Sequence, residues 1–398
     1  MKTNYISHLV IITVLVISCS SCHRPQGDLP YIDVRKNYPQ KEIFLTDIAE
    51  ITYLHINSDD GDYLYSGTIR AITANTIVIP EPGSSSGNIL FFDKDGQPKS
   101  RFNRLGNGPG EYRSFQRVLY DEDTDDVFVI TYWDTLIRVY SSTGIYKRKI
   151  VLPRNTRMGN DIISFDDSSL FFYDANVENN RFDVNYKDLP ASDLISPFYR
   201  ISKTDGAVLD YLELPMAPIF LGIYIDGRPL PALHKTRLIK CAEGVLLCNP
   251  ENDTVFLYGK EKSLTPILHK TPLANETNPM TYLNNCVDVG NYQFMEIYTV
   301  RAGDVYAGIF PVKYFIRNKK TGEIFQQKLI VPDYQEKEFI IGIGQARISG
   351  LENSVFFELD LVELKEAYAQ NRLSGKLKEL VAILKEDDNN VFMIVEFK

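Results

Sequence analysis

One hairpin keeps returning along this chain, and it limits the folds available. Ile89-Leu90-Phe91-Phe92-Asp93-Lys94-Asp95-Gly96, Leu136 to Gly144, Phe198 to Gly206 and Tyr314 to Gly322 each run an aromatic or aliphatic strand into a polar turn ending in glycine. A further strand follows each of them, and Phe256 to Ser263 is a degenerate copy. Glycine supplies turn geometry that a Cβ resists, so apolar runs flanking such turns are a hairpin signal. Successive turn glycines lie 48 and then 62 residues apart. That is the spacing of a multi-stranded unit repeated with loop insertions.

The unit itself is legible at residues 115–152, FQRVLYDEDTDDVFVITYWDTLIRVYSSTGIYKRKIVL. It reads as four strands near 115–120, 126–131, 135–140 and 145–151, with turns at Asp121–Asp125, Trp133-Asp134 and Ser141–Gly144. Four antiparallel strands in under 40 residues is the size of one β-propeller blade. Asn252-Asp253-Thr254-Val255 repeats the register of Trp133-Asp134-Thr135-Leu136 in a later unit.

Laid along the chain, the units fall near 69–102, 115–151, 160–214, 236–270 and 284–330. A sixth combines strands within 339–359 with Val391–Phe397 and takes Ile51–Ile56 as its outermost strand. The two ends of the chain then pair, and closure leaves only short strand edges. One segment breaks the β pattern. Residues 361–385 carry Leu377, Leu380, Val381 and Leu384 at helical spacing, with Ser374-Gly375 dividing them from an earlier helical part. The expected fold is all-β, a six-bladed β-propeller over residues 42–398, with a helical insertion in the last blade whose apolar stripe covers the domain's own core.

The first residues, MKTNYISHLVIITVLVISCSSC, join Lys2 to an uncharged apolar stretch and small residues ending in cysteine. Residues 1–18 are expected to be a secretory signal. The apolar stretch, Leu9 to Ile17, falls short of the roughly 20 residues that span a bilayer. Val16-Ile17-Ser18-Cys19 fits a bacterial lipobox, so Cys19 is the expected lipid-attachment residue, with palmitate among its acyl groups; Cys22 after Ser20-Ser21 is the alternative. Residues 19–41 are expected to be a flexible tether, polar and Pro/Gly-containing from His23 to Pro30.

The formal charge is −9, and removing the leader, with Lys2 as its one charge, makes it more negative still. An acidic chain with no Lys/Arg-rich run is not expected to bind nucleic acid, whose affinity rests on phosphate neutralisation. Membrane association is expected through the lipid alone. Cys241, Cys248 and Cys286 are too few for a disulfide framework and are expected to be small core residues, a single bridge being the alternative.

At Leu105-Gly106-Asn107-Gly108-Pro109-Gly110-Glu111-Tyr112 the chain resembles the Gly-x-Gly-Pro-Gly-Glu-aromatic linker of exported six-bladed, NHL-like β-propeller lipoproteins of Bacteroidetes. The resemblance implies a propeller fold and a cell-envelope location, and it implies no catalytic residues. Read physically, the glycines serve a tight crossing between blades, tolerating positive φ while Pro109 stiffens the turn. A phosphate loop is not expected, because no Gly-Lys-Ser/Thr ending and no helical pattern follow.

Beyond the leader, His23, His55, His234 and His269 form no paired-ligand spacing, so no zinc site and no other metal or cofactor is expected. Asp121-Glu122-Asp123-Thr124-Asp125-Asp126 lacks the glycine and distal glutamate of a calcium loop and reads as a solvated hairpin tip. No nucleophile elbow appears, and no catalytic residue is assigned. The 24 tyrosines and 22 phenylalanines suit packing between sheets better than ligand platforms. The expected function is a non-catalytic binding or scaffolding propeller of the cell envelope, taking a glycan, peptide or protein at the loop-bearing mouth of its channel. The alternative is a metal-dependent propeller hydrolase or lyase with its site on the central axis.

Overall fold

The computed structural model describes residues 29–398 except 59–60, 67–68, 70, 82–85, 132–135, 153–160, 174–197, 213, 215–221, 226–227, 232–237, 250–252, 302–309, 343–346, 349–350 and 352. The main strands form six sheets, each built on an antiparallel four-strand meander. Blade one is Ala71–Ile72, Thr76–Pro80, Asn88–Asp93 and Pro98–Asn103; blade two is Arg117–Asp121, Asp126–Ile130, Leu136–Tyr140 and Tyr146–Val151. Blade three is Asp161–Ser164, Ser169–Tyr173, Phe198–Ser202 and Val208–Tyr211; blade four is Leu238–Cys241, Gly244–Asn249, Thr254–Gly259 and Leu264–Thr271. Blade five is Met280–Val289, Tyr292–Val300, Val312–Asn318 and Ile324–Ile330. Blade six takes Arg347–Ile348, Ser354–Leu359 and Val391–Phe397 from the end of the chain and Ala49–His55 (β3) from its beginning. The sheets therefore fall on the six expected units, closed by the expected pairing of the two ends. A two-stranded hairpin, Gly222–Ile225 with Arg228–Pro231, is added in the connector from blade three to blade four.

Alternation drives the assembly. The second strands Thr76–Pro80, Asp126–Ile130 and Ser169–Tyr173 are buried at every position, because both faces of a blade meet a neighbour. In blade one, Ile77, Ile79, Leu90 and Phe92 pack with Leu54, Phe356 and Phe392 of blade six. The alternate residues Val78, Ile89 and Phe91 pack with Val118, Val127 and Val129 of blade two. Each further interface holds its own cluster in turn, so the ring is one continuous sequence of apolar seams. At roughly 1.5–3 kcal/mol for each fully buried side chain, such a seam outweighs any single polar clasp between blades.

The helical insertion sits between the second and third strands of blade six. After a one-turn helix α1 (Leu45–Ile48), the long helices are α2 (Leu361–Ala369) and α3 (Gly375–Ile383). Leu377, Val381 and Leu384 are buried in the seam of blades five and six, so the stripe covers the domain's own core as expected. The expected tether needs correction at its far end. Tyr31–Asp33 (β1) pairs in parallel with the outermost strand of blade four, and Gln40–Phe44 (β2) with that of blade five. Ile32 is fully buried between those blades, and sequence alone hid this because a three-residue strand has too little pattern to read.

Two glycine environments explain the repeated turns and the linker. Gly96 has φ +79°, and a Cβ on it would lie 2.1 Å from the carbonyl oxygen of His55, so the turn of blade one rests on the backbone of blade six. Lys262 takes a left-handed conformation in the degenerate blade-four copy. The linker glycines act differently from expectation, for Gly106, Gly108 and Gly110 take no positive φ. A Cβ on Gly106 would meet the Glu111 carboxylate at 2.0 Å; that carboxylate accepts from the Gly108 N–H at 2.8 Å. Tyr112, fully buried, donates to the Gly87 carbonyl at 2.7 Å and so fastens the crossing from blade one to blade two.

Candidate functional site

An antiparallel meander puts its connections alternately at its two ends. In blades one to five, the first-to-second and third-to-fourth strand connections are turns of two to five residues, such as 73–75, 242–243 and 319–323. The opposite end carries the long connections, among them 174–197, 212–237, 331–346 and, in blade six, 360–390 with its two helices. The ring therefore has a short-turn face and a loop-bearing face.

On the loop-bearing face, the 331–346 connector meets the start of α2 around a cavity of about 660 Å³, within the range of small-ligand sites. Its inner wall is aromatic: Phe339 packs edge-to-face on Phe357 with centroids 5.2 Å apart, and Tyr334 on Phe339 at 6.2 Å. Burial raises the Tyr334 phenol pKa. The rim is polar and mainly acidic. Lys337 Nζ pairs with Glu363 at 2.8 Å, and Glu358 accepts from Asn390 Nδ2 at 2.9 Å. Asp360 caps α2 by accepting from the Glu363 N–H at 3.0 Å, while Asn390 Oδ1 accepts from the Leu361 N–H at 3.0 Å. Glu338 stands exposed at the rim. Among the described residues, the lining holds no Ser, Thr, Cys or His; it offers hydrogen-bond acceptors, the Tyr334 phenol, one ammonium and a shaped space.

Toward the axis, Arg117 and Asp161, the first residues of the innermost strands of blades two and three, form an ion pair. Asp161 also accepts from the Leu238 N–H of blade four at 2.9 Å. In blade five the innermost strand bulges at Asn284, whose Nδ2 donates to buried Glu296 at 3.0 Å. Gly342 passes so close that a Cβ would stand 2.3 Å from the other Glu296 oxygen.

The residues singled out in sequence do not gather at either place. Cys19, Cys22, His23 and His234 lie outside the described residues, as do Trp133 and Asn252 of the recurring turns. His55, at the end of β3, stands 4.0 Å from Asp388; His269 of blade four shares a hydrogen bond with Thr254 at 2.9 Å, and burial lowers both imidazoles. Among the described residues no three His, Cys, Asp or Glu side chains gather where they could hold a metal ion. Cys241, Cys248 and Cys286 are thiols outside any disulfide near the seam of blades four and five, with Cys241 pushed up to about 12 by burial.

The acidic cluster departs from a solvated tip. Asp121 pairs with Lys203 of blade three, Glu122 accepts from Thr76 Oγ1 of blade one at 2.6 Å, and Asp126 holds Lys147 and Arg148 at 2.9 and 2.6 Å. Asp123 remains exposed. Composition could not separate these cases, since the partners of Asp121 and Glu122 arrive from other blades and those of Asp126 from the outer strand of its own. Asp253, flagged in sequence only as a turn residue, is fully buried against Lys270 at 3.2 Å and accepts from the Ala274 N–H at 2.6 Å.

A sequence family described as a 6-bladed beta-propeller matches residues 23–205. No curated protein matches the sequence. Among solved structures, the chain is similar to a protein from Bacteroides fragilis inferred to be exported, at 16% identity and TM-score 0.60, covering 92% of this chain and 99% of that one. It is also similar to a DUF4221-family member from Bacteroides vulgatus, at 12% identity and TM-score 0.46, over 88% of this chain and 99% of that one. Virginiamycin B lyase from Staphylococcus aureus matches at 14% identity and TM-score 0.38, over 77% of this chain and 82% of that one. By its six sheets, its end-to-end closure and its family match, the chain is a six-bladed β-propeller.

Proposed function

We propose that this protein is an exported, lipid-anchored binding propeller of the cell envelope, NHL-like in kind, that holds its ligand on the loop-bearing face without catalysing a reaction. The cavity between the 331–346 connector and α2 carries this reading: it is of ligand size, and its described lining offers acceptors, one cation and the Tyr334 phenol, whose raised pKa keeps it protonated, but no aliphatic hydroxyl, thiol or imidazole. The leader supports export and acylation at Cys19, and the similar Bacteroides fragilis protein is itself inferred to be exported. A rigid ring presenting loops suits recognition of a glycan, peptide or protein.

The test is a glycan and peptide array probed with the acylated protein, followed by titration of the best binder. Glu358→Lys and Glu338→Lys should each weaken binding about tenfold, the loss of about one hydrogen-bonded charged contact. Lys320→Ala on the short-turn face should leave it unchanged. Binding indifferent to both cavity substitutions would move the site elsewhere, and turnover of the bound glycan or peptide would overturn the non-catalytic reading.

A further inference from the structure

Among the described residues, no further strand lies beyond the outer strands of blades two and three. Along them Ile145, Tyr146, Val151, Leu209 and Tyr211 stand between 38% and 64% exposed, five of the twelve large apolar side chains exposed in the described residues. Single exposed apolar residues need no explanation, but a concentration on two adjacent blades does. Lys149 stands exposed on Tyr146–Val151, a strand with no acidic residue in a chain of net charge −9, while the Lys147 ammonium is held by Asp126. Aromatic, aliphatic and lysine side chains together match the interfacial zone of an anionic bilayer, where rings and methyl groups sink to headgroup depth and ammonium groups meet phosphates.

A strand from another protein fits less well, because lysines on one edge and a length of four residues on the other are devices against edge pairing. The path of the chain points the same way. Upstream of β1 the described chain begins at Leu29, on the outer edge of blade four beside blade three. A lipid on Cys19 is separated from it by a stretch that extends at most ~35 Å, which keeps this part of the rim near the bilayer.

We propose that the protein lies on its membrane by the rim of blades two and three, with Val151, Leu209 and Tyr211 at the lipid interface and the loop-bearing face turned sideways and open. The proposal rests on the lipid-anchor reading. The test places an environment-sensitive fluorophore on a cysteine introduced at Val151, at Leu209 or, as a control, at Val362, which is 64% exposed on α2. The acylated full-length protein is bound to vesicles of phosphatidylethanolamine and phosphatidylglycerol containing nitroxide-labelled lipid. Labels at Val151 and Leu209 should be quenched several-fold more than the label at Val362; equal quenching at all three in vesicle-bound protein overturns the proposal. Mass spectrometry of the same preparation separates the two readings, because an unacylated N-terminus refutes the anchor. The unacylated protein mixed with the same vesicles then decides the rim: selective quenching at Val151 and Leu209 supports it, and none overturns it.

Discussion

The rim of the ring has two unlike halves. Blades four and five are widened by β1 and β2, and blade six has α1 and α3 packed near β3. Among the described residues, blades one to three end on uncovered strands, Pro98–Asn103, Tyr146–Val151 and Val208–Tyr211, guarded by Pro98, by Lys99 and Lys149, and by shortness. The polar fastenings differ in the same way. The open half has its clasps near solvent, such as Arg148 and Lys147 on Asp126 within blade two, whereas the covered half encloses Lys270 and Asp253 completely. Burial pushes the Asp126 carboxyl up, but hydrogen bonds from Arg148 and Lys147 outweigh it and leave the pKa low. Burial pushes Asp253 up to about 6 in spite of Lys270. An ion pair under a covering strand loses more to desolvation than it regains, and the same pair near water does not.

The sharpest test of that contrast is Lys270→Met. It strands a buried carboxylate and should cost about 4 kcal/mol in urea unfolding, while Asp253→Leu with Lys270→Met should restore most of the loss. A double variant as unstable as the single one would mean that the pair contributes more than desolvation removes. Next in size is Gly96→Ala, where left-handed strain adds to a contact with the blade-six backbone, for about 3 kcal/mol. Gly322→Ala in blade five, also at positive φ but with nothing within 4 Å of the added Cβ, should cost only the strain, about 1 kcal/mol. Equal losses would show that the turn glycines serve conformation alone.

Ile32→Ala should cost about 2 kcal/mol, because β1 is anchored by that one fully buried side chain, and Val151→Ala on the bare rim should change stability by less than about 0.5 kcal/mol. The smallest effect is the dependence on pH, and the two halves should oppose one another. Asp126, with a lowered pKa, contributes stability above its usual value near 3.8 that is lost as pH falls through the folded value. Asp253, with a raised pKa, contributes stability below 3.8 that is lost as pH rises through about 6. Asp126→Asn should therefore flatten the acid limb of the unfolding midpoint, and Asp253→Asn the limb between pH 4 and 6. The same slope in both variants would erase the distinction between the halves.

Sequence by itself determined the blades, their order and the closing strand, because period-two alternation and a turn glycine after the third strand of four blades report local backbone geometry and two-sided burial. It also placed the helices in blade six and turned their stripe inward. Tertiary structure alone decided what the polar residues do. Glu122 reads as a solvated charge until Thr76 arrives from another blade, and Asp253 reads as a turn residue until Lys270 closes over it. The cavity rim joins Lys337 to Glu363 and Glu358 to Asn390 across connectors that share no periodicity. β1 was illegible for a related reason: three residues carry no alternation to count, and their strand exists because the edge of blade four supplies its hydrogen bonds.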